Sequence, residues 1–143
     1  MAVVSCEMQA SAETVFEALV DPTTYPDWLV GAQQIRAVDD AWSRPGARFH
    51  HRVGLVGPLT IADSTKVLEV EAPRRLTLEV RARPLGRGRA TFLVQGPDEG
   101  PVTVELDEVP LGLLSILRPL LDPLTVVRNK RSLDLLADHL AAR

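Results

Sequence analysis

The stretch SAETVFEALVDPTTYPDWLVG, residues 11–31, carries the first firm statement about the fold. Ala12, Val15, Phe16, Leu19 and Val20 recur at the i, i+3, i+4, i+7, i+8 spacing of one apolar helix face. Ser11, just before them, can accept a hydrogen bond from an otherwise unpaired backbone N–H, and Glu13 sets negative charge against the helix dipole. Asp21-Pro22 ends this helix and can begin another, because aspartate caps and proline is tolerated at the first helical position. Pro26 then leaves room for about one turn. The expectation is a helix, an elbow and a second short helix ending at Trp28, with the chain's single tyrosine, Tyr25, beside it.

Upstream, Val4, Cys6, Met8 and Ala10 alternate with Ser5, Glu7 and Gln9, the period of a half-buried strand. Downstream, Pro45, Pro58, Pro73, Pro84, the pair Pro97 and Pro101, and Pro110 punctuate the chain at short, near-regular intervals. Proline lacks the N–H a central strand must donate, so these mark turns of an antiparallel meander. The intervening segments agree. Phe49, His51 and Val53 alternate with Arg48, His50 and Arg52; Leu76, Leu78 and Val80 alternate with Thr77, Glu79 and Arg81. Ala90, Phe92 and Val94, and then Val102, Val104 and Leu106, do the same. Each strand has one oily side and one polar side, so the sheet is covered on one face. Residues 33–40 predict an edge strand, and 60–71 change parity midway, as a bulge or strong bend requires. After Pro110 the strand pattern stops. Asp122-Pro123 repeats the helix-start signal, and Val126, Asn129, Leu133, Leu136 and Leu140 form the stripe of a long C-terminal helix. The Leu-rich 111–121 leads into it as a proline-interrupted helical turn.

With 143 residues the chain fits one domain, large enough for a real core. A net charge of −3 supplies no bulk attraction for nucleic acid or an anionic membrane. The single cysteine cannot form an intramolecular disulfide, the N-terminus lacks signal-peptide features, and 111–127 is interrupted by Arg118, Asp122 and two prolines. A cytoplasmic protein, without a transmembrane segment and without affinity for DNA, is expected.

Strand, two short helices, six antiparallel strands and a long helix make an α+β order that resembles the START-like, or SRPBCC, superfamily. The resemblance spans residues 1–143 and rests on SAETVFEALVDPTTYPDW (11–28), PGARFHHRVG (45–54), DSTKVLEVEAPRRLTLEV (63–80) and RNKRSLDLLADHL (128–140). It implies a helix-grip fold, a curved sheet wrapped around the C-terminal helix with an apolar cavity between them. It also sets the elbow at the cavity rim, with Trp28 either lining the mouth or plugging the end of the core.

Few residues carry chemistry. By strand parity His51 points inward and His50 outward, so the two cannot chelate one metal in a regular strand. An inward histidine could orient a ligand carbonyl or move a proton; a structural hydrogen bond is the plainer reading. Asn129 interrupts the helix stripe and must find a partner in the protein or a ligand. No nucleophile elbow, phosphate loop or metal-ligand spacing occurs, and no cofactor is expected. Three functions are consistent with this pattern. The first is a binding or transport protein for a small hydrophobic ligand (lipid, polyketide or aromatic metabolite), with Trp28, Phe49, Leu78 and Phe92 as contact area and His51 and Asn129 as polar anchors. The second is a polyketide cyclase/dehydratase-like enzyme with His51 as acid/base. The third is a ribosome- or protein-binding, toxin-like protein using the basic clusters Arg128, Lys130, Arg131 and Arg81, Arg83, Arg87, Arg89. Monomer and homodimer are both compatible with the sequence.

Overall fold

The elements run β1 (Val3–Met8), α1 (Ala12–Val20), a 3-10 turn (Pro22–Thr24), α2 (Tyr25–Trp28), β2 (Ala32–Val38), β3 (Arg48–Val56), β4 (Leu59–Glu71), β5 (Arg75–Ala82), β6 (Gly86–Gln95), β7 (Val102–Leu111), a 3-10 stretch (Gly112–Leu117) and α3 (Arg118–Ala141). The computed structural model describes residues 3–30, 32–40, 42, 44–56, 59–82 and 86–141. Pro58, Arg83 and Pro84 lie outside them, and so do the side chains of Arg52, Val53 and Ile61.

One antiparallel sheet takes the order β1-β7-β6-β5-β4-β3-β2, a meander whose last strand returns to pair with the first. Val4 lies opposite Leu106 and Cys6 opposite Val104, so β1 continues the inward alternation of β7. The weakly patterned segment 33–40 falls on β2, at the far edge. The parity change in β4 is a bulge between Val67 and Glu69: Thr65 and Val67 are buried before it, and Val70 packs against the core after it.

The elbow forms as its sequence predicts. Thr14 N–H donates to Ser11 Oγ at 3.2 Å, and Thr23 N–H to Asp21 Oδ1 at 3.0 Å, so both caps are used. Val15, Phe16 and Leu19 of α1 are buried, each such side chain stabilising the fold by ~1.5–3 kcal/mol. The β6–β7 turn secures the start of α1, with Ala12 N–H donating to the Asp98 carbonyl at 3.0 Å. Gly100 in that turn has φ +82°, and a Cβ there would lie 2.1 Å from the Ala10 carbonyl oxygen. Only glycine fits such an approach.

Leu133, Leu136 and Leu140 of α3 are buried against the sheet. The helix begins at Arg118 rather than at the Asp122-Pro123 signal, which lies inside it. Pro123 removes one N–H, the one that would reach back to the Pro119 carbonyl. Pro119, Leu120, Pro123 and Leu124 are all exposed, so water replaces the lost partner and the helix continues through the proline. No helix among the described residues is long and apolar enough to cross a membrane.

Candidate ligand cavity

Between the inner face of the sheet and α3 lies a cavity of about 110 Å³. Its walls follow from strand parity. Phe49 and His51 of β3, Thr65 of β4, Leu78 and Val80 of β5, and Ala90 and Phe92 of β6 all project to the same side. Leu106 and Glu108 of β7 close one flank, Arg128 and Asn129 of α3 another, and Tyr25, Leu29 and Val30 of the elbow a third. Val30 and Arg128 are exposed and mark the mouth; Val30 N–H is held by Ser132 Oγ of α3 at 2.9 Å.

Two polar groups interrupt the apolar lining. In the first, His51 Nε2 and Thr65 Oγ1 are 2.9 Å apart, and both residues are buried. In the second, Asn129 Nδ2 donates to Glu108 Oε2 at 3.0 Å, and the Arg128 guanidinium donates to the same carboxylate oxygen. Asn129 therefore has a side-chain partner on β7. A carboxylate so held is charge-balanced at the rim of the cavity.

An edge-to-face ring cluster supports the inner wall. Tyr25 meets Trp28 with ring centroids 5.4 Å apart and Phe49 at 5.3 Å; Trp28 meets Phe92 at 6.1 Å, and Trp42 meets Phe49 at 5.0 Å. Such pairs add ~0.5–1.5 kcal/mol beyond area burial. The Tyr25 hydroxyl donates to the Leu19 carbonyl. Burial, and then the charge of Asp21, push its pKa upward, so it stays a protonated donor. Trp42 Nε1 donates to the Val20 carbonyl at 2.5 Å, tying the β2–β3 connection to α1.

Five of the six residues expected at the site line one cavity: Phe49, His51, Leu78, Phe92 and Asn129. Trp28 does not. It is buried in the core, donates to Thr24 Oγ1 at 3.0 Å and backs Phe92 from behind, so of the two roles open to it the plug is the one it takes. The elbow reaches the cavity through Tyr25, Leu29 and Val30 instead. Sequence reasoning missed Glu108, although a signal existed: continuing the inward alternation Val102, Val104, Leu106 by two residues sets a carboxylate on the oily face. It missed Thr65 because the β4 bulge obscures parity. Among the described residues no group of three or more His, Cys, Asp or Glu side chains is arranged to hold a metal ion.

The basic clusters are partly neutralised. Arg81 Nε lies 2.9 Å from Glu79 Oε1 and Arg87 Nη1 lies 3.6 Å from Glu79 Oε2. The hydrogen bond from Arg81, opposed by burial, holds the Glu79 carboxyl below its ordinary range. Arg128 is paired with Glu108 and Lys130 with Asp134 at 3.2 Å.

Sheet, gripping helix and an apolar cavity that opens between Val30 and Arg128 define the class of protein: a helix-grip domain with a cavity between sheet and helix. The chain belongs to the polyketide cyclase/dehydrase and lipid transport family, whose profile matches residues 2–143. Solved structures share the fold. The protein NE0264 from Nitrosomonas europaea superposes with a TM-score of 0.78 at 18% identity, over 98% of this chain and 93% of that one. CalU16 from Micromonospora echinospora gives 0.61 at 22% identity, over 96% and 74% of the two chains. DynU16, a protein in the dynemicin biosynthetic locus, gives 0.67 at 19% identity, over 98% of this chain and 46% of that one. No curated protein sequence matches the chain.

Proposed function

We propose that this protein binds a small hydrophobic ligand in the cavity between sheet and α3. The observation that carries the reading is the lining itself, aromatic and aliphatic walls with two hydrogen-bonded polar groups at fixed places. The volume narrows the ligand class. About 110 Å³ is on the scale of the engineered cavity of ~150 Å³ that holds benzene. A volume on that scale accommodates a single ring or a short aliphatic segment, and a full lipid or multi-ring polyketide would extend out through the mouth between Val30 and Arg128. The family match and a structural neighbour encoded in a biosynthetic locus support the same reading.

One observation favours a second, enzymatic reading. Glu108 lines the same cavity as His51, which supplies the second acid/base group a cyclase or dehydratase would use. Against it, Glu108 is already held by Arg128 and Asn129.

The test is native mass spectrometry of freshly purified protein, then calorimetric titration with single-ring phenols and medium-chain alcohols. Saturable one-to-one binding, weakened ~10-fold or more by Asn129→Leu or Phe92→Ala, supports the cavity reading. Absence of binding across both series, with a clean apo mass, would overturn it. Turnover of a bound ligand that His51→Gln or Glu108→Gln abolishes, with binding intact, would favour the enzyme.

A further inference from the structure

The cavity lining offers a ligand fewer hydrogen-bonding positions than its polar residues suggest. The Tyr25 hydroxyl is turned away to the Leu19 carbonyl, and Val30 N–H is taken by Ser132 Oγ. Thr65 Oγ1 and His51 Nε2 are bonded to each other, and either can be the donor, so this pair commits the cavity to neither polarity. At the rim, Arg128 and Asn129 both donate to Glu108, and Arg128 Nε also reaches Asn129 Oδ1 at 3.4 Å. Each of these donor groups thus has a protein acceptor.

Glu108 is different. Both of its donors take one oxygen, Oε2. Among the described residues none donates to Oε1, which keeps access to solvent. The side chain is only 20% exposed, so the carboxylate sits mostly within the protein. Its register partner across the strand is Ala90, the smallest residue of the wall, and the space that Ala90 leaves lies beside the carboxylate. A carboxylate can only accept, so this open position calls for a donor. Charge narrows the choice. Glu108 and Arg128 carry opposite charges and are paired with each other. A charged ligand would therefore lose hydration in an apolar cavity without a net attraction to replace it. A carboxylate ligand would also set its own lone pairs against Oε1.

We propose that Glu108 Oε1 determines ligand specificity, selecting a neutral ring compound that donates one hydrogen bond, a phenol or aromatic alcohol, over a carboxylate or a ketone. The inference rests on the cavity reading given above and names the class of molecule that the cavity takes.

Titration calorimetry of the whole chain at neutral pH tests it with three single rings: phenol, which donates, benzonitrile, which only accepts, and toluene, which does neither. The informative variant is Glu108→Gln. Arg128 and Asn129 need an acceptor, so the amide oxygen takes the place of Oε2 and the amide nitrogen the place of Oε1. The open position then donates instead of accepting. Relative to wild type, phenol should bind ~10-fold or more weakly and benzonitrile more tightly, with toluene unchanged. This reversal is one that a purely structural role for Glu108 would not produce. If toluene binds and Glu108→Gln leaves the phenol-to-toluene ratio unaltered, the inference is overturned while the cavity reading stands. Equal weakening of all three ligands would overturn it too, since that marks a packing role. If none of the three binds the wild type, toluene included, the inference and the cavity reading fall together.

Discussion

Filling the cavity should make the protein more stable and less able to bind. Ala90 is the smallest wall residue, on the interior strand β6, opposite Leu78 and Glu108 in register. Ala90→Leu points three more carbons into the chamber. At ~0.8 kcal/mol per buried methylene they contribute about 2.4 kcal/mol. The cavity term gives a similar ceiling: 110 Å³ at ~24 cal/mol per Å³ is about 2.6 kcal/mol. Fixing the leucine rotamer costs ~0.5–1 kcal/mol. The balance is a gain of about 1–2 kcal/mol, or roughly 3–6 °C in melting temperature for a chain of this size. The same substitution occupies the space a ligand ring would use, so affinity for single-ring phenols falls ~10-fold or more. Differential scanning calorimetry and titration calorimetry on one preparation read both quantities. A lower melting temperature, matching the ~1–3 kcal/mol cost of overpacking, would refute the reasoning, because the room would not be there. A rise in stability with unchanged binding would refute it differently, by setting the ligand elsewhere.

Other expectations follow from single contacts. Gly100→Ala combines a left-handed φ with a carbonyl in the way of the new Cβ, so it should cost at least ~2 kcal/mol in chemical denaturation; a neutral result would mean that the β6–β7 turn does not sit against Ala10. The lowered folded-state pKa of Glu79 adds stability above its unfolded value of about 4.3, and this is lost as pH falls through the folded value. Urea melts of wild type and Glu79→Gln should therefore differ at neutral pH and converge in acid, and a gap that persists in acid would contradict the ion-pair origin. Burial, more than any neighbouring charge, raises the Cys6 thiol pKa. Iodoacetamide at mildly alkaline pH should alkylate it more slowly in the native protein than in urea, and equal rates would refute that protection.

The fold was legible because its elements announce themselves independently. The elbow carries two side-chain caps and a proline start, and β3 and β5 to β7 alternate between prolines, so local signals and topology agree there. The start of α3 was misread for a physical reason. Proline at a helix start and proline in an exposed second turn look alike in sequence, and only solvent access at Pro119–Leu124 distinguishes them. The cavity was half legible. Parity alone assigns Phe49, His51, Leu78 and Phe92 to the inner face, but it cannot say which inward residues meet each other and which meet a void. Trp28 illustrates the gap: its bulk and indole N–H suit a pocket wall, yet Thr24 one turn back satisfies the N–H and leaves the ring free to be core. Glu108 could have been found by treating a charge on an oily parity as a signal rather than as the end of the strand.

The pairing of β1 with β7 has a consequence for how the protein is made. Val3–Met8 is synthesised before the other six strands and pairs with Val102–Leu111, the last of them. The helix that packs on it, and whose Lys130 donates to the Ser5 carbonyl at 3.0 Å, comes later still. A ribosome adding ~5–20 residues per second leaves this strand without a partner for seconds while β2 to β6 are being made. During that interval its alternating Val4, Cys6 and Met8 face water or a chaperone. Addition of β1 to the sheet is then a late event that joins the first strand to the last. Truncated nascent chains that stop before β7 should therefore be the species most prone to aggregate, whatever order the inner strands acquire first.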